Sequence, residues 1–159
     1  MMKITLIAPG HLKEPYLRAA CAEYEKRLSR YCDLTVIEPE PQFLPDSPAP
    51  AQIDAALERE ADVILKKIPQ NAFTVALCVE GKPLSSEQFA EKIAACADGG
   101  KPLAFIIGSS YGLSPRVKSR ADFRLSVSAM TFPHQLFRVL LLEQIYRGFR
   151  INGGSAYHK

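Results

Sequence analysis

The sequence predicts an α/β fold built on a parallel sheet, and three observations support this. Five short apolar segments alternate along the chain with longer segments in which apolar residues recur every three or four positions. Segments 72–79 and 103–107 are almost continuously apolar, as in strands that are covered on both faces. The length of 159 residues, with 47% hydrophobic and 23% charged residues, is typical of one globular domain with a substantial core.

The N-terminal half is predicted to contain two strands and two helices. Their predicted ranges are strand 2–8, helix 14–30, strand 33–38 and helix 51–68. Five prolines lie between positions 39 and 50. Proline lacks a backbone N–H and interrupts both helices and sheets, so this segment is predicted to be a surface loop.

The C-terminal half is predicted to continue the alternation. After strand 72–79, Ser85 and Gln88 form a capping-box pattern that begins a helix ending near residue 96. Strand 103–107 follows, and Ser114 with Pro115 predicts the N-cap and first position of a short helix. A short strand at 123–127 and a long helix at 133–149 complete the prediction.

Several classes of protein are disfavoured by composition. No apolar run approaches the roughly 18 residues of a membrane span, and the first residues contain no signal-peptide cleavage pattern. The four cysteines, at positions 21, 32, 78 and 96, are far apart and form no C-x-x-C pair. We therefore expect reduced thiols, no metal site, no membrane partner and a cytoplasmic location.

Charge is distributed unevenly along the chain. Residues 1–100 contain 11 Lys/Arg and 15 Asp/Glu, whereas residues 101–159 contain 9 basic residues and only Asp122 and Glu143 as acids. Clustered positive charge attracts the phosphates of a nucleic acid. An ordinary solvated helix face explains the same pattern, and charge alone does not separate the two interpretations.

Ligands of parallel α/β sheets bind at the carboxyl ends of the strands. Three segments are predicted to meet there: the end of strand 72–79, "IIGSSYGLSP" at 106–115 and "LSVSAMTFPH" at 125–134. Neither a P-loop nor a G-x-G-x-x-G pattern is present, which disfavours nucleotide triphosphates and dinucleotides. Gly108 and Gly112 permit positive φ angles or close backbone approach, and a plain turn without any ligand would explain them too.

Three segments carry a resemblance to a known family. "IIGSSYGLSP", "SAMTFPHQLFRVLLLEQIYR" and the terminal "AYHK" resemble the small SPOUT-class methyltransferases that methylate N3 of a pseudouridine in 23S ribosomal RNA. The resemblance covers essentially the whole chain, including "MKITLIA" at its start and "GKPLSSEQFA" at 81–90. Ser109 departs from the family pattern, which usually has a second glycine there.

The resemblance implies a fold, a cofactor and partners. It implies a deep trefoil knot formed by about residues 77–159, S-adenosylmethionine bound within the knot, and an obligate homodimer. It also implies that the substrate is 23S ribosomal RNA, in the large subunit or the assembled ribosome. The cofactor contacts carried over from the family are Leu77, Gly108, Val127, Ser128, Ala129, Met130, Thr131 and Phe132.

The last helix and the tail suggest how such a dimer would work. Phe137, Leu140, Leu141 and Ile145 form one apolar stripe, and Leu136, Val139, Leu142 and Tyr146 form a second. A helix packed only on its own sheet needs one stripe, so we expect the other to contact a second subunit. The tail could then reach the partner's cofactor.

Methyl transfer requires an aligned methyl group and removal of the N3 proton. The residues considered for catalysis are His134, Arg138, Arg147, Tyr157 and His158, with His134, Arg147, Tyr157 and His158 preferred. Two alternatives remain: a knotted RNA- or ribosome-binding protein without catalytic activity, and a flavodoxin-like small-molecule binder.

Overall fold

A computed structural model describes residues 1–154, whose five strands form one fully parallel sheet. The strands are β1 (Met2–Ile7), β2 (Cys32–Ile37), β3 (Phe73–Pro83), β4 (Leu103–Ile106) and β5 (Phe123–Ser126). Their order in the sheet is β2-β1-β4-β3-β5. The helices are α1 (Pro15–Leu28), α2 (Pro50–Lys67), α3 (Ser86–Asp98), α4 (Pro115–Arg120) and α5 (His134–Asn152). Each predicted element is confirmed within a few residues, and the parallel α/β class is correct.

Helices cover both faces of the sheet. On one face, α1, α3 and α5 enclose a large apolar core around Leu6, Val75 and Phe105. On the other face, α2 and α4 pack against β1, β3 and β4, with Ile64 and Val117 buried. Coverage on both sides explains why the central strands are almost continuously apolar.

The predicted helix starts in the C-terminal half are confirmed by their capping bonds. The Ser85 hydroxyl accepts a hydrogen bond from the Gln88 N–H at 3.1 Å, and the Gln88 side chain accepts one from the Ser85 N–H at 2.9 Å. The Ser114 hydroxyl accepts a bond from the Val117 N–H at 3.3 Å, with Pro115 at the first helical position. These bonds satisfy N–H groups that have no partner within the helix.

Strand β3 is longer than predicted because it contains an irregularity. Its pairing with β5 shifts between Leu77 and Lys82, so residues 78–81 leave the regular ladder. Gly81 lies so close to β5 that a Cβ atom would be 2.8 Å from the backbone carbon of Arg124. This segment borders the cavity described below, and its departure from the ladder helps to shape that cavity.

The two predicted stripes of α5 do not separate into a buried face and a free face. The buried apolar residues Leu141, Leu142, Ile145 and Tyr146 come from both stripes. The reason is that α5 packs between α1 and α3, so its buried face cuts across the predicted stripes. Leu136, Phe137, Val139 and Leu140 remain only half-buried in the single chain.

The described cysteines are free thiols. Burial raises the pKa of both Cys21 and Cys32 to about 11, so these thiols are protonated at neutral pH. Within residues 1–154, no group of three or more His, Cys, Asp or Glu side chains is arranged to hold a metal ion. In the same part of the chain, no helix combines the length and apolarity needed to cross a membrane.

Candidate functional site

A cavity of about 790 Å³ opens at the carboxyl ends of β3, β4 and β5. Its volume lies within the range of small-molecule sites, and its walls combine apolar side chains with a few polar groups. The lining comes from the end of β3, the loop after β4, α4, β5 with the loop after it, and the first turn of α5. The residues are 77–80, 107–113, Lys118, Leu125, Val127, Ser128, 131–134 and Phe137.

The loop between β4 and α4 forms a tight turn on one side of this cavity. The Gly112 N–H donates a hydrogen bond to the Ser109 carbonyl oxygen at 2.9 Å. Gly112 has a φ of 86°, a conformation that favours glycine, whereas Gly108 is needed for space. A Cβ atom at Gly108 would lie 2.4 Å from the Gly112 carbonyl oxygen. The two positions therefore require glycine for different reasons: Gly112 for its backbone conformation, and Gly108 for lack of space.

A buried carboxyl group, that of Glu60 on α2, contacts the same turn. Glu60 on α2 is only 6% exposed. Burial raises the pKa of Glu60, and a hydrogen bond with the Ser109 side chain lowers it in part. Ser109 thus provides a polar contact between α2 and the turn. Glu60 could not be singled out from the sequence because it occupies an ordinary position in an amphipathic helix.

The loop between β5 and α5 forms another wall. The Ser126 hydroxyl donates to the Ser128 carbonyl oxygen at 3.1 Å, and the Ser128 hydroxyl accepts from the Met130 N–H at 3.0 Å. Phe132 packs edge-on against Phe137 of α5, with ring centroids 5.6 Å apart. This wall therefore offers an apolar surface beside ordered backbone polar groups.

His134 lies where α5 begins, at the edge of the cavity. Its Nδ1 is 3.4 Å from the Ser110 hydroxyl of the turn after β4. Partial burial, the positive charge of Arg138 and that of Lys13 all lower the pKa of His134 below its usual range. His134 is therefore neutral at pH 7 and can accept a hydrogen bond or a proton.

An ion pair closes the side of the cavity near the irregular segment of β3. Lys118 of α4 contacts the carboxylate of Glu80, and both residues line the cavity. The hydrogen bond and charge of Lys118 lower the pKa of Glu80. This pair could not be predicted from the sequence, since the two residues are 38 positions apart.

The chain matches a family described as "Predicted SPOUT methyltransferase" over residues 2–158. It belongs to the SPOUT methyltransferase family. The chain is 51% identical over 159 residues to "Ribosomal RNA large subunit methyltransferase H" of Clostridium kluyveri, covering 99% of this chain and all of that relative. The protein of the same name from Clostridium botulinum strain Okra is 49% identical with the same coverage.

A solved structure shows a similar fold. The probable methylase family protein from Haemophilus influenzae Rd KW20 aligns with a TM-score of 0.56 and covers 99% of this chain and 70% of that protein. At 15% sequence identity, this likeness concerns the fold alone. It agrees with the α/β fold of a SPOUT methyltransferase that the sequence predicts.

Most residues that the family resemblance assigns to the cofactor lie around the cavity of this SPOUT methyltransferase. The predicted residues among its lining are Leu77, Gly108, Val127, Ser128, Thr131, Phe132 and His134. Ala129 and Met130 belong to the same loop but are exposed and are not among the lining residues. For all of these residues, lining or not, the assigned role in cofactor binding or catalysis stays a prediction.

The other predicted catalytic residues are placed differently. Arg147 lies 13 residues beyond His134 on α5, which corresponds to about 20 Å along the helix axis. It pairs with Glu143 at 2.6 Å and does not line the cavity of its own chain. Tyr157 and His158 lie outside the described residues.

Part of the basic charge of the last third is neutralised within the chain. Arg116 contacts Glu58 at 3.2 Å and Asp62 at 2.6 Å, and Lys118 contacts Glu80. Arg120 and Arg124 are exposed and form no ion pair with another of residues 1–154. These two arginines are therefore better candidates for phosphate contact than Arg116 and Lys118.

Proposed function

We propose that this protein transfers a methyl group from S-adenosylmethionine to N3 of a pseudouridine in 23S ribosomal RNA. One observation carries the proposal. The cavity lies at the carboxyl ends of β3–β5 in a chain about half identical, over its whole length, to proteins named ribosomal RNA large subunit methyltransferase H. The choice of N3 and of pseudouridine comes from the family resemblance in the sequence.

The residues around the cavity fit this cofactor. The wall formed by Val127, Ser128 and Phe132 offers apolar surface beside backbone polar groups, as an adenine ring requires. Gly108 keeps the opposite wall free of side-chain bulk, so the backbone of the turn can approach a ligand closely. When bound, S-adenosylmethionine supplies a methyl group that is already activated by its sulfonium charge.

The protein must then orient the RNA base and accept or relay its N3 proton. His134 is half-buried at the cavity edge and neutral at pH 7, so its imidazole is able to accept a hydrogen bond or this proton. The Ser110 hydroxyl, 3.4 Å from Nδ1, orients the ring. Water exclusion by Phe132 and Phe137 strengthens these polar interactions.

The proposal includes a homodimer whose subunits are knotted and complete each other's sites. Leu136 and Leu140 are half-exposed one turn apart on α5, beside a groove of about 210 Å³ lined by Leu140, Glu143 and Gln144. A second subunit packed there would cover this surface. The tail, with Tyr157 and His158, would reach the partner's cavity, and Arg147 would lie near the tail.

The test is methyl transfer with defined RNA substrates. Purified protein is incubated with radiolabelled S-adenosylmethionine and with naked 23S RNA, large subunits or whole ribosomes from cells that lack the enzyme. We expect label in ribosomal RNA, and mass mapping of nucleosides should place the methyl group on a pseudouridine. A Tyr157→Ala/His158→Ala variant tests the proposed role of the tail, and we expect it to lose methyl transfer.

Two outcomes would contradict the proposal. Binding to ribosomes without label in the RNA would favour an RNA-binding protein without catalytic activity. Label on a nucleoside other than pseudouridine would support methyl transfer but contradict pseudouridine as the target.

A further inference from the structure

Arg138 is a charged residue buried beneath the functional site rather than in it. Only 2% of the residue is exposed, and it does not line the cavity. One guanidinium nitrogen donates to the Glu38 carboxylate at 2.5 Å, and the other donates to the carbonyl oxygens of Ala8 at 3.2 Å and Gly10 at 2.5 Å. One side chain thus joins α5, the end of β2 and the loop after β1.

The third guanidinium nitrogen, Nε, bears on the role of this arrangement. The Nε–H of Arg138 is buried and has no acceptor among residues 1–154. A buried donor without a partner destabilises the folded state, and a buried ion pair often adds little net stability. Stability alone therefore gives weak reason for an arginine here, whereas its planar fork can hold three acceptors in a fixed geometry.

Gln135, on the same helix, also joins α5 to the loop after β1. The Gln135 side chain accepts from the Lys13 N–H at 3.1 Å and donates to the His11 carbonyl oxygen at 3.2 Å. With Arg138, this gives four hydrogen bonds between the loop after β1 and the first turns of α5. The beginning of α5 is therefore fixed to the sheet.

His134 lies one helical turn before Arg138, so its position depends on this attachment. The His134 ring extends to the cavity and meets Ser110 of the turn after β4. Phe137, also in the first turns of α5, supports the apolar wall through Phe132. Any shift of these turns would move both the imidazole and the wall.

We propose that Arg138 is a positioning residue for methyl transfer: it fixes the first turns of α5 against the loop after β1 and so holds His134 at the cavity. The effect of Arg138 on catalysis rests on the proposed methyl transfer, whereas the effect of Arg138 on His134 does not. Arg138 acts through His134 and Phe137 and touches no reacting atom.

The electrostatic part of this proposal depends on the groups around His134. Arg138 from α5 and Lys13 from the loop after β1 place positive charge near the imidazole, and Ser110 from the turn after β4 faces it with a neutral hydroxyl. Behind Arg138, the Glu38 carboxylate also contacts His11 at 3.3 Å. Loss of the Arg138 charge should therefore raise the pKa of His134.

Two substitutions separate geometry from charge. Arg138→Lys retains the positive charge but has one nitrogen in place of the two that contact Glu38 and the two carbonyls. We therefore expect the His134 titration midpoint to stay and methyl transfer to fall roughly 10²-fold. Arg138→Met removes the charge as well, so the midpoint should move upward. Proton NMR of the imidazoles gives the midpoint, with peaks assigned by replacing His11 and His158 with glutamine.

Arg18→Met is the matched control. Arg18 donates to the carbonyl oxygens of Leu12 at 3.0 Å and Lys13 at 2.9 Å, so it holds the same loop, but to α1 instead of α5. We expect the His134 midpoint to stay unchanged in this variant. Circular dichroism and melting temperature report whether each variant is folded.

The outcomes distinguish this inference from the proposed function. The positioning role would be overturned if Arg138→Lys transferred methyl groups at the wild-type rate, or if the His134 titration midpoint did not move in folded Arg138→Met. If Arg138→Met does not fold, Arg138→Lys still decides, because a purely structural role predicts activity in proportion to the folded fraction. A wild-type protein without any methyl transfer would reject the proposed function, and the midpoints would still test the link between Arg138 and His134.

Discussion

Replacing Gly108 by alanine should disable the cofactor site with a single added carbon. The new Cβ would lie 2.4 Å from the Gly112 carbonyl oxygen and 2.5 Å from its carbonyl carbon. Ordinary contacts begin near 3.4 Å, so the turn would have to move by about 1 Å. A misplacement of about 1 Å lowers a catalysed rate about 10²-fold. We expect a loss of the same order in the affinity for S-adenosylmethionine, which corresponds to about 2.7 kcal/mol of binding free energy.

Isothermal titration calorimetry with S-adenosylmethionine measures this loss directly. Gly99→Ala is the matched control, because a Cβ there would be 3.4 Å from the Ala95 carbonyl oxygen, at the end of α3. We expect the control to bind as the wild type does and both variants to retain their circular dichroism spectra. Undiminished affinity in folded Gly108→Ala would refute the assignment of this turn to the cofactor.

Three further predictions concern assembly, RNA and pH. Leu140→Glu should yield monomers in light scattering, since it places a charge on the half-exposed face of α5; a stable, active wild-type monomer would contradict the dimer. Replacing Arg120 and Arg124 by glutamine should weaken RNA binding and flatten its salt dependence, because fewer counterions are released; an unchanged slope would reject both contacts. Burial raises the pKa of Glu38, but Arg138 and His11 outweigh this and lower it overall. The ionised Glu38 carboxylate should therefore stabilise the fold fully at pH values above the ordinary carboxyl pKa, and this stabilisation should be lost as the pH falls through the folded-state pKa. Urea unfolding at a series of pH values measures this dependence, and Arg138→Met should reduce it.

The apolar periodicity of the sequence determined the order and type of the elements, and local polar patterns determined several of their ends. Ser85 with Gln88 and Ser114 with Pro115 begin helices through bonds within four residues, so no knowledge of the fold was needed. The cavity's location also followed, because the carboxyl ends of parallel strands meet at one edge.

Tertiary packing decided which side chains of a segment face the cavity, the core or solvent. The apolar stripes of α5 were visible in the sequence, but its position between α1 and α3 selected a buried face that cuts across both. The sequence makes both Arg138 and Arg147 candidates for the site. The fold buries Arg138 beneath the cavity, whereas Arg147 lies some turns further along α5 and pairs with Glu143. These outcomes depend on partners up to 130 residues distant along the chain, and only the packed elements bring such partners together.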